Sequence, residues 1–165
     1  MKKVLSLLLA LTMVFALAAV SAPGAAAAEP KTVKAGFIFL HDENSTYDLN
    51  FINAAKEACE KLGVEYLIKT GIPEGQECAD AAEELIDEGC NFIFADSFGH
   101  EPFLLQVAKD YPDVEFCHAT GTQAHTSGLD NYHNGFASIY EGRFLGGVAA
   151  GLKLNEMIEA GTITP

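Results

Sequence analysis

Residues 91–100, Asn91-Phe92-Ile93-Phe94-Ala95-Asp96-Ser97-Phe98-Gly99-His100, decide the fold. A short apolar run breaks abruptly into polar residues, as a buried parallel strand does where it emerges before its crossover helix. The same break occurs on either side. Upstream, residues 33–40 give way to His41-Asp42-Glu43-Asn44-Ser45-Thr46-Tyr47. Downstream, residues 114–117 give way to His118-Ala119-Thr120-Gly121. In an open α/β sheet, ligands bind outside the carboxyl ends of the strands. The three clusters are therefore expected to share one edge and one small-molecule site.

The chain between these breaks alternates strand and helix. Strands are predicted over 33–40, 64–68, 91–95 and 114–118, with a short fifth over 131–136. Helices are predicted over 49–62, 76–88 and 102–110. In the first, Phe51, Ala55, Ala58 and Leu62 recur at helical spacing, and Gly63 falls where a left-handed C-terminal residue is expected. Pro102 marks the start of the third. A long apolar helix follows over 138–154; its Gly142, Gly146, Gly147 and Gly151 predict very close packing on a neighbour, which offsets their cost to helicity. Repeated βα units predict a doubly wound parallel α/β sheet with right-handed crossovers. Continuously apolar strands predict that both faces are covered.

The N-terminus reads as a targeting segment. Lys2-Lys3 precede a nearly unbroken apolar run, and Ala26 and Ala28 supply the small residues of a cleavage site after residue 28. Residues 1–28 are thus expected to be a cleavable signal peptide and 29–165 one α/β domain, placed in the periplasm or at the extracellular surface. Without Lys2 and Lys3, 8 basic residues face 23 acidic ones, a charge of −15. Such a surface repels phosphate backbones and anionic membrane faces, which excludes nucleic acid as a partner. The four cysteines include no C-x-x-C pair. Only Cys59 and Cys90 are expected at the same sheet edge, and four small buried hydrophobes is the preferred reading.

The first cluster is the richest in chemistry. Asp42 and Asn44 offer hydrogen bonds and Tyr47 an aromatic face, the combination a small heteroaromatic or sugar-bearing ligand needs. Thr46 or Asp48 capping the following helix is the plainer alternative. Ser97 invites a nucleophile reading, but the elbow requires glycines on both sides and Asp96 and Phe98 flank it here. A ligand contact or a helix cap suits Ser97 better. His100, His118 and His125 show no metal-ligand spacing, and no glycine-rich phosphate loop is present. No metal and no cofactor is expected.

The chain resembles the basic membrane protein family of extracytoplasmic solute-binding proteins. The resemblance rests on residues 34–39 (Lys-Ala-Gly-Phe-Ile-Phe), 93–99 (Ile-Phe-Ala-Asp-Ser-Phe-Gly), 111–121 (Tyr-Pro-Asp-Val-Glu-Phe-Cys-His-Ala-Thr-Gly) and the glycine-rich segment 139–151. It implies a type I periplasmic-binding-protein lobe, serving an ABC permease and binding a purine nucleoside or nucleobase without chemistry. It further implies that Tyr47 stacks on the base, that Asp42 ends the first strand, and that Ser97 and Phe98 form the Ser-Phe-Gly turn. With Asn44, Asp96, His118 and Thr120 these make up the expected ligand site. Family members carry a second lobe after the glycine-rich helix, so the chain reads as the N-terminal lobe alone. A single lobe should bind weakly, because closure of two lobes buries most of the ligand. A sugar or signal-molecule binder of the same fold, and an exported hydrolase using Ser97, are the alternatives.

Overall fold

In the computed structural model, residues 32–164 are described. The expected leader, residues 1–28, lies outside the described residues. The order is β1 (Lys34–Ile38), α1 (Thr46–Leu62), β2 (Glu65–Lys69), α2 (Gln76–Asp87), β3 (Phe92–Ala95), a 3-10 turn (Phe98–His100) and α3 (Glu101–Asp110). Then come β4 (Glu115–Ala119), the short α4 (Ala124–Ser127), β5 (Tyr132–Gly135) and α5 (Ile139–Glu159). The five strands form one all-parallel sheet in the order β2-β1-β3-β4-β5. The chain starts in the middle, turns left once, and then winds right. That reversal between β1 and β3 is where such sheets open a crevice.

Two apolar cores flank the sheet. On one side α2 and α3 bury Leu85, Leu104 and Val107 against Ile38, Ile93, Phe116 and Tyr132. On the other, α1 buries Ile52, Ala55 and Cys59 against Ala35, Phe37 and Phe39. The inward stripe of α1 is Asp48, Ile52, Ala55 and Cys59. The predicted stripe was rotated by one position: Ala58 and Leu62 face solvent, and Leu62 is 75% exposed. Gly63 does take the left-handed conformation, φ 68°. The helix is capped by Ser45, whose hydroxyl accepts from Asp48 N at 3.3 Å, and not by Thr46 or Asp48. Buried Asn131 ties the end of α3 to β4, its amide donating to the carbonyls of Ala108, Tyr111 and Val114 at 2.9–3.0 Å.

All four cysteines are free, in line with the preferred reading. Cys59 and Cys90 sit in the two different cores, so the sheet itself separates them. Cys117 is only half-buried. The sheet, against expectation, is not fully covered. On the α1 side, Phe92, Phe94 and Cys117 remain half-exposed and His133 and Gly135 exposed, because α5 does not fold back over them. Every residue from Ile139 to Glu156 is exposed, which contradicts the close packing predicted for the glycine-rich helix. Among the described residues no helix is long and apolar enough to cross a membrane.

The two sides of the stripe assignment separate cleanly in urea. Ile52→Ala, on the buried stripe of α1, should cost about 2–5 kcal/mol. Leu62→Ala should change stability by less than about 0.5 kcal/mol.

Candidate functional site

The carboxyl ends of β1, β3 and β4 meet at one edge, and buried acids hold it. Asp48, in the first turn of α1, is wholly buried. It accepts from the Ser45 hydroxyl at 2.5 Å, from His41 N at 3.0 Å, and pairs with His41 Nδ1 at 3.0 Å. Asp96, just beyond β3, is also wholly buried, and its Oδ1 accepts from Leu40 N at 3.4 Å. Burial, and then the adjacent Asp48 charge, push the Asp96 carboxyl up to about 7. Burial alone would raise Asp48 too, but hydrogen bonds from Ser45, His41 and Asp96 outweigh it and hold it at about 2. Like charges this close cannot both ionise cheaply. Of the two, Asp96 is the one that holds its proton into the near-neutral range.

Tyr47 stands above this pair. Its hydroxyl donates to the Asp96 carbonyl at 3.2 Å, and its ring lies 5.1 Å from Phe51, which in turn lies 6.0 Å from Phe94. The ring stays 45% exposed, so one aromatic face is offered to solvent at the strand ends. Asp42 and Asn44 are exposed and paired: the Asp42 carboxylate accepts from Asn44 N and Nδ2 at 3.0 Å. Phe98, on the 3-10 turn, is 65% exposed. Ser97 is buried and donates to the Glu74 carboxylate, which also takes Gly99 N at 2.8 Å.

His118 is fully buried at the end of β4, its Nε2 2.7 Å from the Ser97 carbonyl. A carbonyl only accepts, so Nε2 carries a proton. Burial lowers its pKa. Thr120 is the one non-glycine described residue with positive φ, 66°. Its hydroxyl is buried without a partner. Beside it, Gly121 is wedged so that a Cβ would come closer than 3.0 Å to Glu101 Oε1, Asn134 Nδ2 and His118 Nδ1. Glu101, at the start of α3, is buried and accepts from Thr122 N at 3.0 Å, Gln123 N at 2.9 Å and Asn134 Nδ2 at 3.2 Å. Although burial opposes it, those donors hold its carboxyl below the usual range.

Of the eight predicted positions, Tyr47, Asp96, Ser97 and His118 are joined by hydrogen bonds through the Asp96 and Ser97 carbonyls. Asp42 and Asn44 form a separate pair, Phe98 projects alone, and Thr120 is held in a strained loop. The sequence reading missed Asp48, Glu74, Glu101 and Asn134. Glu101 adjoins the Asp-Ser-Phe-Gly-His segment, but an acid at a helix start reads as a solvated side chain until the backbone of Thr122 and Gln123 is seen to donate to it. Ser97 lacks a hydrolase geometry: His118 faces its carbonyl and not its hydroxyl. No three His, Cys, Asp or Glu residues among those described converge as a metal site.

An open parallel sheet with polar strand ends and one offered aromatic face defines a lobe of the solute-binding-protein type. The family described as ABC transporter substrate-binding protein, PnrA-like (Bmp) matches residues 36–162, and the chain belongs to it. A purine-binding protein of Brucella abortus is 38% identical over 132 residues, spanning 77% of this chain and 36% of its own length. An ABC transporter protein of Haloferax volcanii named for glucose binding is 29% identical over 133 residues, 78% of this chain and 32% of its own. The chain thus spans about a third of the length of these curated relatives. Among solved structures, an ABC transporter solute-binding protein from Conexibacter woesei superposes with a TM-score of 0.56 at 17% identity, over 63% of this chain and 35% of that one. A lipoprotein fragment from Peptoclostridium difficile 630 gives 0.53 at 19% identity, over 72% and 97%. Both share the fold.

The carboxyl pair sets a pH signature. A carboxyl whose folded pKa is raised from 3.8 to about 7 contributes stability that is full below 3.8 and is lost as pH rises through 7. Asp96→Asn removes that loss, so its stability relative to the parent should rise from pH 4 to pH 8 in urea titrations. A flat difference rejects the raised Asp96 pKa. Gly121→Ala should destabilise by about 1–3 kcal/mol through overpacking, read in the same titrations.

Proposed function

We infer that this lobe forms half of an extracytoplasmic solute site for an ABC importer and takes a purine nucleoside or nucleobase-like ligand without chemistry. The observation that carries it is the half-exposed Tyr47 ring fixed over the strand ends by its bond to the Asp96 carbonyl. Planar bases stack on such a face, and every base presents one. Asp42, Asn44 and Ser97 supply the hydrogen bonds around the ligand rim; Asp96, Phe98, His118 and Thr120 frame its floor and edge. The purine-binding Brucella relative supports this ligand class. The export leader and the partner permease follow from the same reading, with residues 29–165 as the N-terminal lobe of a two-lobed protein.

The Haloferax relative favours a second reading, a sugar in the same place. A competition panel of purines and hexoses against the two-lobed protein separates the two. In that protein, Tyr47→Ala should weaken purine binding by about 1–3 kcal/mol in calorimetric titration. Unchanged affinity rejects the stacking role.

A further inference from the structure

Two surfaces of this chain lack a partner, and they match. The first is α5, whose Tyr140, Phe144, Leu145, Val148 and Leu152 are all exposed, Phe144 to 71%. A helix that is apolar around its whole circumference is normally buried. The second is the β3–β5 half of the sheet on the α1 side. There Phe92 and Phe94 of β3 and Cys117 of β4 are only half-buried, Phe94 touching Phe51 of α1, and His133 and Gly135 of β5 are exposed. The register places Phe94 beside Cys117 and Cys117 beside His133, giving one continuous strip.

We propose that a second copy of this chain covers this strip, the α5 of each copy lying across the open sheet face of the other. A right-handed connection after the last strand puts a helix on that face, yet α5 leaves β5 after only residues 136–138 and runs clear of its own lobe. Exchange between two copies satisfies both surfaces at once. It is isologous and closes without leaving a third surface open. The area suffices. At roughly 200 Å² for a large apolar residue, about 60% of it exposed, these five side chains together with Ile139 and Leu154 offer on the order of 800 Å², matching the roughly 800 Å² per partner of a stable interface. The helix is about 31 Å long, more than enough to cross three strands at roughly 4.8 Å spacing. No Cβ added at Gly142, Gly146, Gly147 or Gly151 would meet a neighbour, so the backbone of α5 is open to close approach.

The test is the native mass of the chain ending at Pro165 and of variants on each surface. The parent should run at twice the chain mass. Phe144→Glu on α5 and Cys117→Lys on the sheet should each give the single-chain mass, with unchanged far-UV circular dichroism. Mixed together, they should regain a doubled mass, because the hybrid retains one intact helix-to-sheet contact. Should Cys117→Lys fail to fold, His133→Glu on the exposed part of the same strip replaces it. A single-chain mass for the parent, meaning that α5 closes on its own sheet, overturns the proposal. So does a dimer that is lost in Phe144→Glu but persists in both sheet variants, which would mean that the helices pair only with each other.

Discussion

Two buried carboxyls, Asp48 and Asp96, organise the edge of this lobe. Asp48 comes from the first turn of α1 and Asp96 from the end of β3, and neither reaches solvent. Two buried negative charges in contact would be strongly unfavourable. With the Asp96 carboxyl pushed up to about 7, that repulsion is relieved. Asp48 can then serve as the ionised acceptor for Ser45 and for the His41 backbone and ring. The whole 41–47 loop is folded around that acceptor, and Tyr47 is placed by it.

A second buried acid does the same work at the other end of the edge. Glu101 sits at the N-terminus of α3, where the helix dipole favours negative charge, and gathers donors from the 122–123 backbone and from Asn134 of β5. Gly121 is required because that cluster leaves no room for a Cβ. Between the two acids, His118 and Ser97 link β4 to β3 through one short bond. The strand ends are therefore cross-linked by polar groups beneath a surface that offers an aromatic ring and a carboxylate–amide pair.

The strands and their parallel order were readable because each apolar run ended in its own polar cluster, a pattern set by burial. Helix positions were readable to a few residues, but the α1 stripe was not. Asp48 counted as polar in a periodicity count, although it is the most buried residue of that helix and shifts the stripe to 48, 52, 55 and 59. Tyr47, Asp96 and Ser97 stood out because they fall just past strand ends. Glu74 and Glu101 did not, since their partners are backbone amides that only the folded loops deliver. The place of α5 was unreadable for another reason: glycines at close-packing spacing tell that a helix needs a neighbour, not which surface supplies it.

The sheet divides the interior unequally. Among the described residues, sixteen buried hydrophobes lie on the α2–α3 side and six on the α1 side. Local opening free energies follow buried apolar contact, so α1, seated on the smaller core, opens more readily than β3, β4 and α3. Tyr47 rides on that loosely seated helix, whereas Ser97 and His118 belong to the firm side. The lobe thus combines a yielding aromatic wall with a rigid polar floor, and an occupant that presses on Tyr47 meets a compliance the rest of the site lacks.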